Sequence, residues 1–293
     1  MSRPVGPQNG LKYSSRAIRY RYINMAMAFF REDPNTSFDF PDLTAVQSST
    51  SVPVSDARPI PLIAAKLRIP EVGDILPRKW LTGVLSKSSK NSAATIVVGR
   101  AGTGKTTLAA EFVSGRSDVS WYTIDGVDAD WRTFQSYFRA AIFRDNGWAE
   151  RQTKLSLPEC ATPLDLFADI TAGLELRGKQ WPSVLVVDGI HHLFDRPWFQ
   201  DFFDYLVAST PLGSHTVMLS RSKPPTPIWR LRSKQVLNVI DEKLLAFSLA
   251  EAQEFFEFHG VADVDTAAAV AESFGHAGGL KTIARSLATP AAA

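Results

Sequence analysis

One stretch, TIVVGRAGTGKTTLAAEF at residues 95–112, constrains this chain more than any other. A short, mostly β-branched apolar run ends at Gly99, and a helix-forming run opens at Gly104. The turn between them, G-R-A-G-T-G-K-T, satisfies every fixed position of the pattern G-x-x-x-x-G-K-[ST]. Glycines at these points let successive backbone N–H groups turn inward around an anion, and a helix N-terminus adds free donors and a favourable dipole. Gly99, Arg100, Ala101, Gly102, Thr103, Gly104, Lys105, Thr106 and Thr107 are therefore the expected cradle for the phosphates of a nucleotide. Lys105 is expected to reach the β- and γ-phosphates, and the Thr106 hydroxyl to enter the oxygen shell of Mg2+. A glycine-rich turn with no ligand is the alternative, and the flanking strand and helix count against it.

The same alternation of strand and helix continues downstream. Ser120–Ile124, Val184–Val187, Thr216–Leu219 and Val236–Ile240 read as short buried strands. Helical spacing appears at Trp131, Phe134, Phe138 and Ile142, again over Pro163–Leu176, and from Trp198 to Val207. Strands alternating with amphipathic helices predict an α/β fold, a parallel five-stranded sheet between helices with right-handed crossovers. After Phe247 the strands stop. Ser248 and Glu251 form a capping box that opens a helix through Phe255 and Phe256, and helical stretches follow near Thr266–Phe274 and Gly279–Ala288. The expected organisation is a tail over 1–60, a nucleotide-binding domain over 61–247 and a small all-α subdomain over 248–293.

A phosphate loop needs an acid at the end of another buried strand. SVLVVDGIHHL supplies Asp188, which can hold Mg2+, often through water; a strand-ending aspartate in a turn is the alternative. The next residue is Gly189, which cannot orient an attacking water as a second carboxylate would. His191 and His192 follow, able to polarise a water or simply to cap a helix at the surface. Arg221 stands just after the fourth strand, at the sheet edge where ligands of open α/β sheets collect. It can sense a γ-phosphate there, or be a surface arginine.

Bulk properties bound the setting. Residues 35–61 are rich in Ser, Thr, Pro and Asp and read as a linker. The apolar run Ile23–Phe30 is too short to cross a bilayer and lacks a secretory cleavage pattern; a start at Met25 or Met27 is an alternative reading of this region. The net charge of +2 gives no electrostatic argument for nucleic acid or membrane. Cys160 is the single cysteine, so no intrachain disulfide can form, in keeping with a cytoplasmic setting.

These residues carry a resemblance. IAAKLRIPEVGDILPRKWL, VGRAGTGKTTLAAEF, VLVVDGIHHL, TVMLSRSKPPTPIWRLRSKQ and LLAFSLAEAQEFF, in that order, are similar to the nucleotide-binding region of STAND-class P-loop ATPases, above all the MalT-like, LuxR-associated large ATP-binding regulators of bacteria. The resemblance covers roughly residues 62–288. It implies that the strand ending at Ser220 lies between the phosphate-loop strand and the Asp188 strand, with Arg221 between Lys105 and Asp188 as γ-phosphate sensor. It also implies that Pro77 and Arg78 lie near the base and that the helices after Phe247 form a lid. Lys105, Asp188 and Arg221 would carry any catalysis, with ATP or ADP and Mg2+ as the bound groups and Thr106 and Asp188 as metal ligands. Two departures stand out: the acidic pair at Asp188 is reduced to one, and Gly275-His276-Ala277 replaces a Gly-Trp-Pro type lid motif. Relatives of this kind continue into sensor and DNA-binding domains, which this sequence lacks, so this chain is not expected to read DNA itself.

The reading that follows is an ATP/ADP-binding switch module, with a slow ATPase activity and with a second copy or a regulatory protein as partner. The rivals are a P-loop small-molecule or nucleotide kinase, and a non-hydrolysing module that docks through its aromatic band at Trp198, Phe199, Phe202 and Phe203. Arg285 alone after Phe247 argues against the kinase, whose lid normally brings several arginines.

Overall fold

The protein was analysed as a computed structural model, which describes residues 60–73, 75–143, 159–261 and 263–288. The expected tail, but for Ile60, and the apolar run Ile23–Phe30 lie outside the described residues. Five strands, β1 (Ala94–Val98), β2 (Val119–Thr123), β3 (Val184–Asp188), β4 (His215–Ser220) and β5 (Leu237–Ile240), form one parallel sheet in the order β2-β3-β4-β1-β5. β4 thus lies between β1 and β3, as the resemblance implies. Val98 pairs with Ser220, and Leu219 with Asp188, so three strands end on one edge of the sheet. Every residue of β1 and β4 is buried, which is why Ala94–Val98 and Thr216–Leu219 read as unbroken apolar or β-branched runs rather than as alternating patterns.

Helices cover both faces. On one, α1 (Lys79–Asn91) and α2 (Lys105–Val113) bring Leu81, Leu85, Leu108 and Phe112 onto Val97, Trp121, Val186 and Val217. On the other, α3 (Trp131–Phe143), α4 (Pro163–Leu176) and α5 (Phe199–Ser209) bring Phe134, Phe138, Phe167 and Phe202 onto Ile96, Tyr122, Leu185 and Met218. The rings of Phe134 and Phe202 meet edge to face at 4.7 Å. Each such buried side chain is worth about 1.5–3 kcal/mol of transfer free energy. Phe199, Phe202 and Phe203 of the aromatic band are all fully buried here, which removes them as a docking surface. Capping fixes where α4 begins: Thr162 and Asp165 satisfy each other's backbone N–H, with Pro163 in the first turn.

α1 is not anticipated by the sequence pattern. KWLTGVLSKSSKN carries a glycine and three serines, and only Leu81 and Leu85 among its apolar residues are fully buried. Its formation comes from packing on α2 and β1 rather than from propensity. Two short helices, α6 (Trp229–Ser233) and α7 (Glu242–Leu245), flank β5.

The remaining described helices, α8 (Leu249–Phe258), α9 (Thr266–Ser273) and α10 (Ala277–Ala288), share a small core of Phe247, Phe255, Phe256, Val261 and Leu280, on which Leu76 also packs. The Ser248–Glu251 capping box forms as the sequence predicts. At the sheet edge opposite the strand ends is a buried polar network. His215 bonds through Nε2 to the Thr95 hydroxyl at 2.9 Å and through Nδ1 to the Ser92 carbonyl at 2.9 Å, while Asn238 donates to Ser88 at 2.7 Å. Burial pushes the pKa of His215 down to about 4. No described helix is long and apolar enough to cross a membrane.

Candidate nucleotide-binding site

β1 delivers the loop to the sheet edge, where the Gly99 amide donates to the Ser220 carbonyl at 3.1 Å. Gly102 and Gly104 then take φ of 79° and 88°, a region closed to most side chains, and Gly104 caps α2. Lys105, only 8 % exposed, folds its ammonium back onto the Gly99 and Arg100 carbonyls at 2.6 and 2.7 Å. Burial lowers its pKa, opposed by Asp188 and assisted by Arg221. The Thr106 hydroxyl donates to Asp188 Oδ2 at 2.8 Å, joining residues 82 positions apart. Burial raises the Asp188 carboxyl, and Thr106, Lys105 and Arg221 each pull it back down. Arg221 is exposed at the end of β4 and lies within electrostatic reach of both Lys105 and Asp188. Lys105, Thr106, Asp188 and Arg221 therefore converge on one edge.

The backbone after Asp188 explains the single acid. Gly189 has φ 83°, and a Cβ there would stand 2.4 Å from the Ile124 carbonyl oxygen. No side chain, acidic or otherwise, fits that position without moving the backbone just beyond β2. The chain then enters a 3-10 turn, Ile190–Leu193, whose N-cap makes no side-chain hydrogen bond.

Beside the loop, between it and α8–α10, lies a cavity of about 260 Å³. Its walls include Gly102, Thr103 and Gly104 from the loop, Thr107, Leu108 and Glu111 from α2, and Phe247, Phe255, His259 and Lys281 from the helical segment. Arg78 lines it too, but its guanidinium is committed. It donates to the Leu245 and Ala246 carbonyls at 2.6 and 3.1 Å, pairs with Glu251 at 2.9 Å, and stacks on Phe247 at 4.1 Å. Burial pushes Glu251 up, but bonds from Arg78 and Trp80 outweigh it and hold the carboxyl near about 2. Pro77 is exposed and is not among the cavity-lining residues. Ala277, of the Gly275-His276-Ala277 stretch, does line the cavity.

Two contacts tie the helical segment to the loop. The Gly278 amide donates to the Gly102 carbonyl at 2.7 Å, so close that a Cβ on Gly278 would meet Gly102 at 3.2 Å. Glu242 accepts from the Arg100 amide at 3.0 Å and Nε at 2.8 Å, and pairs with His276 at 2.9 Å. Sequence reasoning did not find Glu111, Glu242, His259, Gly278 or Lys281. Glu111 lies on α2, in the quoted VGRAGTGKTTLAAEF stretch, but at no fixed position of the loop pattern; the others sit at no motif position and are brought in by long-range packing.

Fold and loop together define a P-loop NTPase domain. A family model described as an AAA domain matches residues 88–216. The HTH-type transcriptional regulator MalT, from two strains of Klebsiella pneumoniae, is 32% identical over 199 residues, covering 67% of this chain. This chain spans 22% of the length of those relatives. Among solved structures, a Walker-type ATPase of Pyrococcus abyssi overlaps at TM-score 0.47 and 15% identity, covering 72% of this chain and 67% of its own. The replication initiator DnaA bound to AMPPCP and single-stranded DNA overlaps at TM-score 0.43 and 13% identity, covering 76% and 63%. The chain carries a MalT-like P-loop ATPase nucleotide-binding region.

Proposed function

We propose that the chain is an ATP/ADP-binding switch module of the STAND type, with residues 61–247 as nucleotide-binding domain and the helices after Phe247 as its lid. The observation that carries this reading is the Gly278–Gly102 contact at 2.7 Å, which sets the helical segment directly on the phosphate loop beside a cavity of about 260 Å³. A triphosphate entering the loop must meet that segment, so ATP and ADP bias its orientation by their different contacts.

The donor set fits a magnesium nucleotide. Thr106 and Asp188 offer hard oxygens side by side, and two protein ligands suffice for an ion that keeps waters and phosphate oxygens around it. Lys105 would leave its carbonyl partners for the β- and γ-phosphates, and Arg221 would meet the γ-phosphate from β4. Bound Mg2+ would offset charge on the triphosphate and assist slow hydrolysis. In a longer protein this module would pass its nucleotide state to a sensor or a regulatory partner in the cytoplasm.

The test is to purify the chain, identify any co-purifying nucleotide, and measure ATP and ADP affinity with magnesium. Lys105→Ala should stay folded by circular dichroism and lose roughly 100-fold or more in affinity, the range expected when a charged phosphate contact is deleted. A folded wild-type protein without affinity for either nucleotide would end this proposal.

A further inference from the structure

We infer that Glu111 reads the base of the nucleotide, accepting a hydrogen bond from the exocyclic amine of adenine. This rests on the ATP-binding reading above and adds the residue that decides which base is held. Two observations carry it: where Glu111 stands, and what it lacks.

Glu111 lies on α2, the helix that follows the phosphate loop, and it lines the cavity beside that loop. Thr107 and Leu108, one turn earlier, line the same cavity, so one face of α2 runs from the phosphate grip to Glu111. From Gly104 to Glu111 the helix rises about 10 Å. A nucleotide with its phosphates in the loop extends along this face and brings its base toward Glu111. Leu76, Leu108 and Phe255 also line the cavity and offer apolar surface to the faces of a flat ring.

The carboxylate is short of partners. The Arg78 amide approaches Oε2 at 3.4 Å, and the Thr82 hydroxyl approaches Oε1 at 3.2 Å. The first is longer than an ordinary N–H···O bond. The second is nominal, because the hydroxyl has a single proton and stands closer, at 2.8 Å, to the Arg78 carbonyl. Among the described residues no cation pairs with Glu111. Arg78 lines the cavity too, but gives its guanidinium to Glu251 and to two carbonyls. Lys281, on α10, is likewise without an ion-pair partner among the described residues, so two opposite charges line one cavity without meeting. A ligand that bridges them must offer a donor to one and acceptors to the other.

An adenine nucleotide does both. Its amine is a donor for the Glu111 carboxylate, and its ring nitrogens and phosphate oxygens are acceptors. The loosely held Arg78 amide is a donor for N1, the acceptor beside that amine. Guanine carries a carbonyl oxygen in place of the amine, which a carboxylate repels. Its own N–H groups lie elsewhere on the same edge, which makes GDP the rival to measure.

The experiment measures the affinity of the full chain, with Mg2+, for ADP, for GDP and for purine riboside 5′-diphosphate, which is ADP without the amine. Wild type should bind ADP about 10- to 100-fold more tightly than the other two, the range for a hydrogen bond to a charged group. Glu111→Ala should bring ADP to within about twofold of the desamino analogue and leave the analogue's own affinity within about twofold of wild type. The second result separates loss of base reading from damage to the phosphate grip. Glu111→Gln keeps an acceptor and gains a donor, so it should retain part of the preference over the analogue and narrow the gap to GDP. Thr82→Val removes the hydroxyl beside Glu111 and should leave the order of the three affinities unchanged. If Glu111→Ala fails to fold, Glu111→Gln carries the test by that narrowed gap. The inference is overturned by a wild type that binds ADP and the analogue alike or binds GDP more tightly than ADP. It is equally overturned by Glu111→Ala keeping the wild-type preference, or by an unchanged gap in Glu111→Gln. A wild type that binds none of the three would instead strike the nucleotide reading itself.

Discussion

The two sides of the site are built differently. The phosphate side is made of strand ends: Thr106 meets Asp188 because β1, β4 and β3 are locked in register beneath a closed aromatic core. The cavity side is made of segments held by charge pairs at or near the surface, Arg78 with Glu251 and Glu242 with Arg100 and His276. The Arg100–Glu242 pair, with Arg100 exposed, contributes about 0–1 kcal/mol, against several for a buried aromatic layer, while Arg78–Glu251 is mostly buried and fixes the base of the helical segment. The switch proposed above requires this division, with the loop side fixed and the opposite wall free to move.

The sharpest way to break this comparison is to force a side chain into the rigid half. Gly189→Asp supplies the missing acid, yet it demands φ 83° and a Cβ at 2.4 Å from Ile124 O. We expect a loss of about 3 kcal/mol or more in urea unfolding, with no gain in hydrolysis. A stable, faster variant would show that the strand ends are far softer than described.

Acid probes the rigid half from its other edge. His215 is neutral in the folded protein, with a pKa near about 4 against about 6.5 unfolded, so the unfolded chain takes up a proton first. Its contribution is complete above about pH 6.5 and drains away as pH falls toward about 4. Between about pH 7.5 and about pH 5 the unfolding free energy should drop by about 2 kcal/mol from this group, and His215→Gln should flatten that slope.

The movable half should respond more gently. Gly278→Leu inserts bulk where Gly102 already stands at 3.2 Å. It should cost about 1 kcal/mol of stability and raise amide exchange over residues 275–281, while leaving exchange in β1 and β4 unchanged. Glu242→Gln removes the charge that Arg100 and His276 share. Its effect on unfolding should be about 0.5 kcal/mol or less, read most clearly as salt-insensitive nucleotide release where wild type is salt-sensitive.

The same division decided what could be read from sequence. β1, β3 and β4 were legible because strands buried on both faces must be runs of apolar or β-branched residues, and the loop was legible because phosphate geometry fixes its glycines. Asp188 followed from its place at the end of such a run. α1 was hidden behind its serines, since packing rather than composition makes it a helix. Glu242, Gly278 and His259 were hidden for another reason: they gain meaning only when residues more than a hundred positions away come beside them. Nor did sequence show why residue 189 lacks an acid, because the obstacle is a neighbouring strand's carbonyl.

β5 is four residues long, pairs with β1 on one flank only, and runs straight through Asp241 into α7 and the helices beyond. Along the chain, those helices are therefore joined to the sheet through its shortest strand, the neighbour of the strand that carries the phosphate loop. The strands that carry the phosphate loop, Ser220 and Asp188 are each paired on both flanks, so the chain leaves the sheet for the helices from a rim that holds none of them.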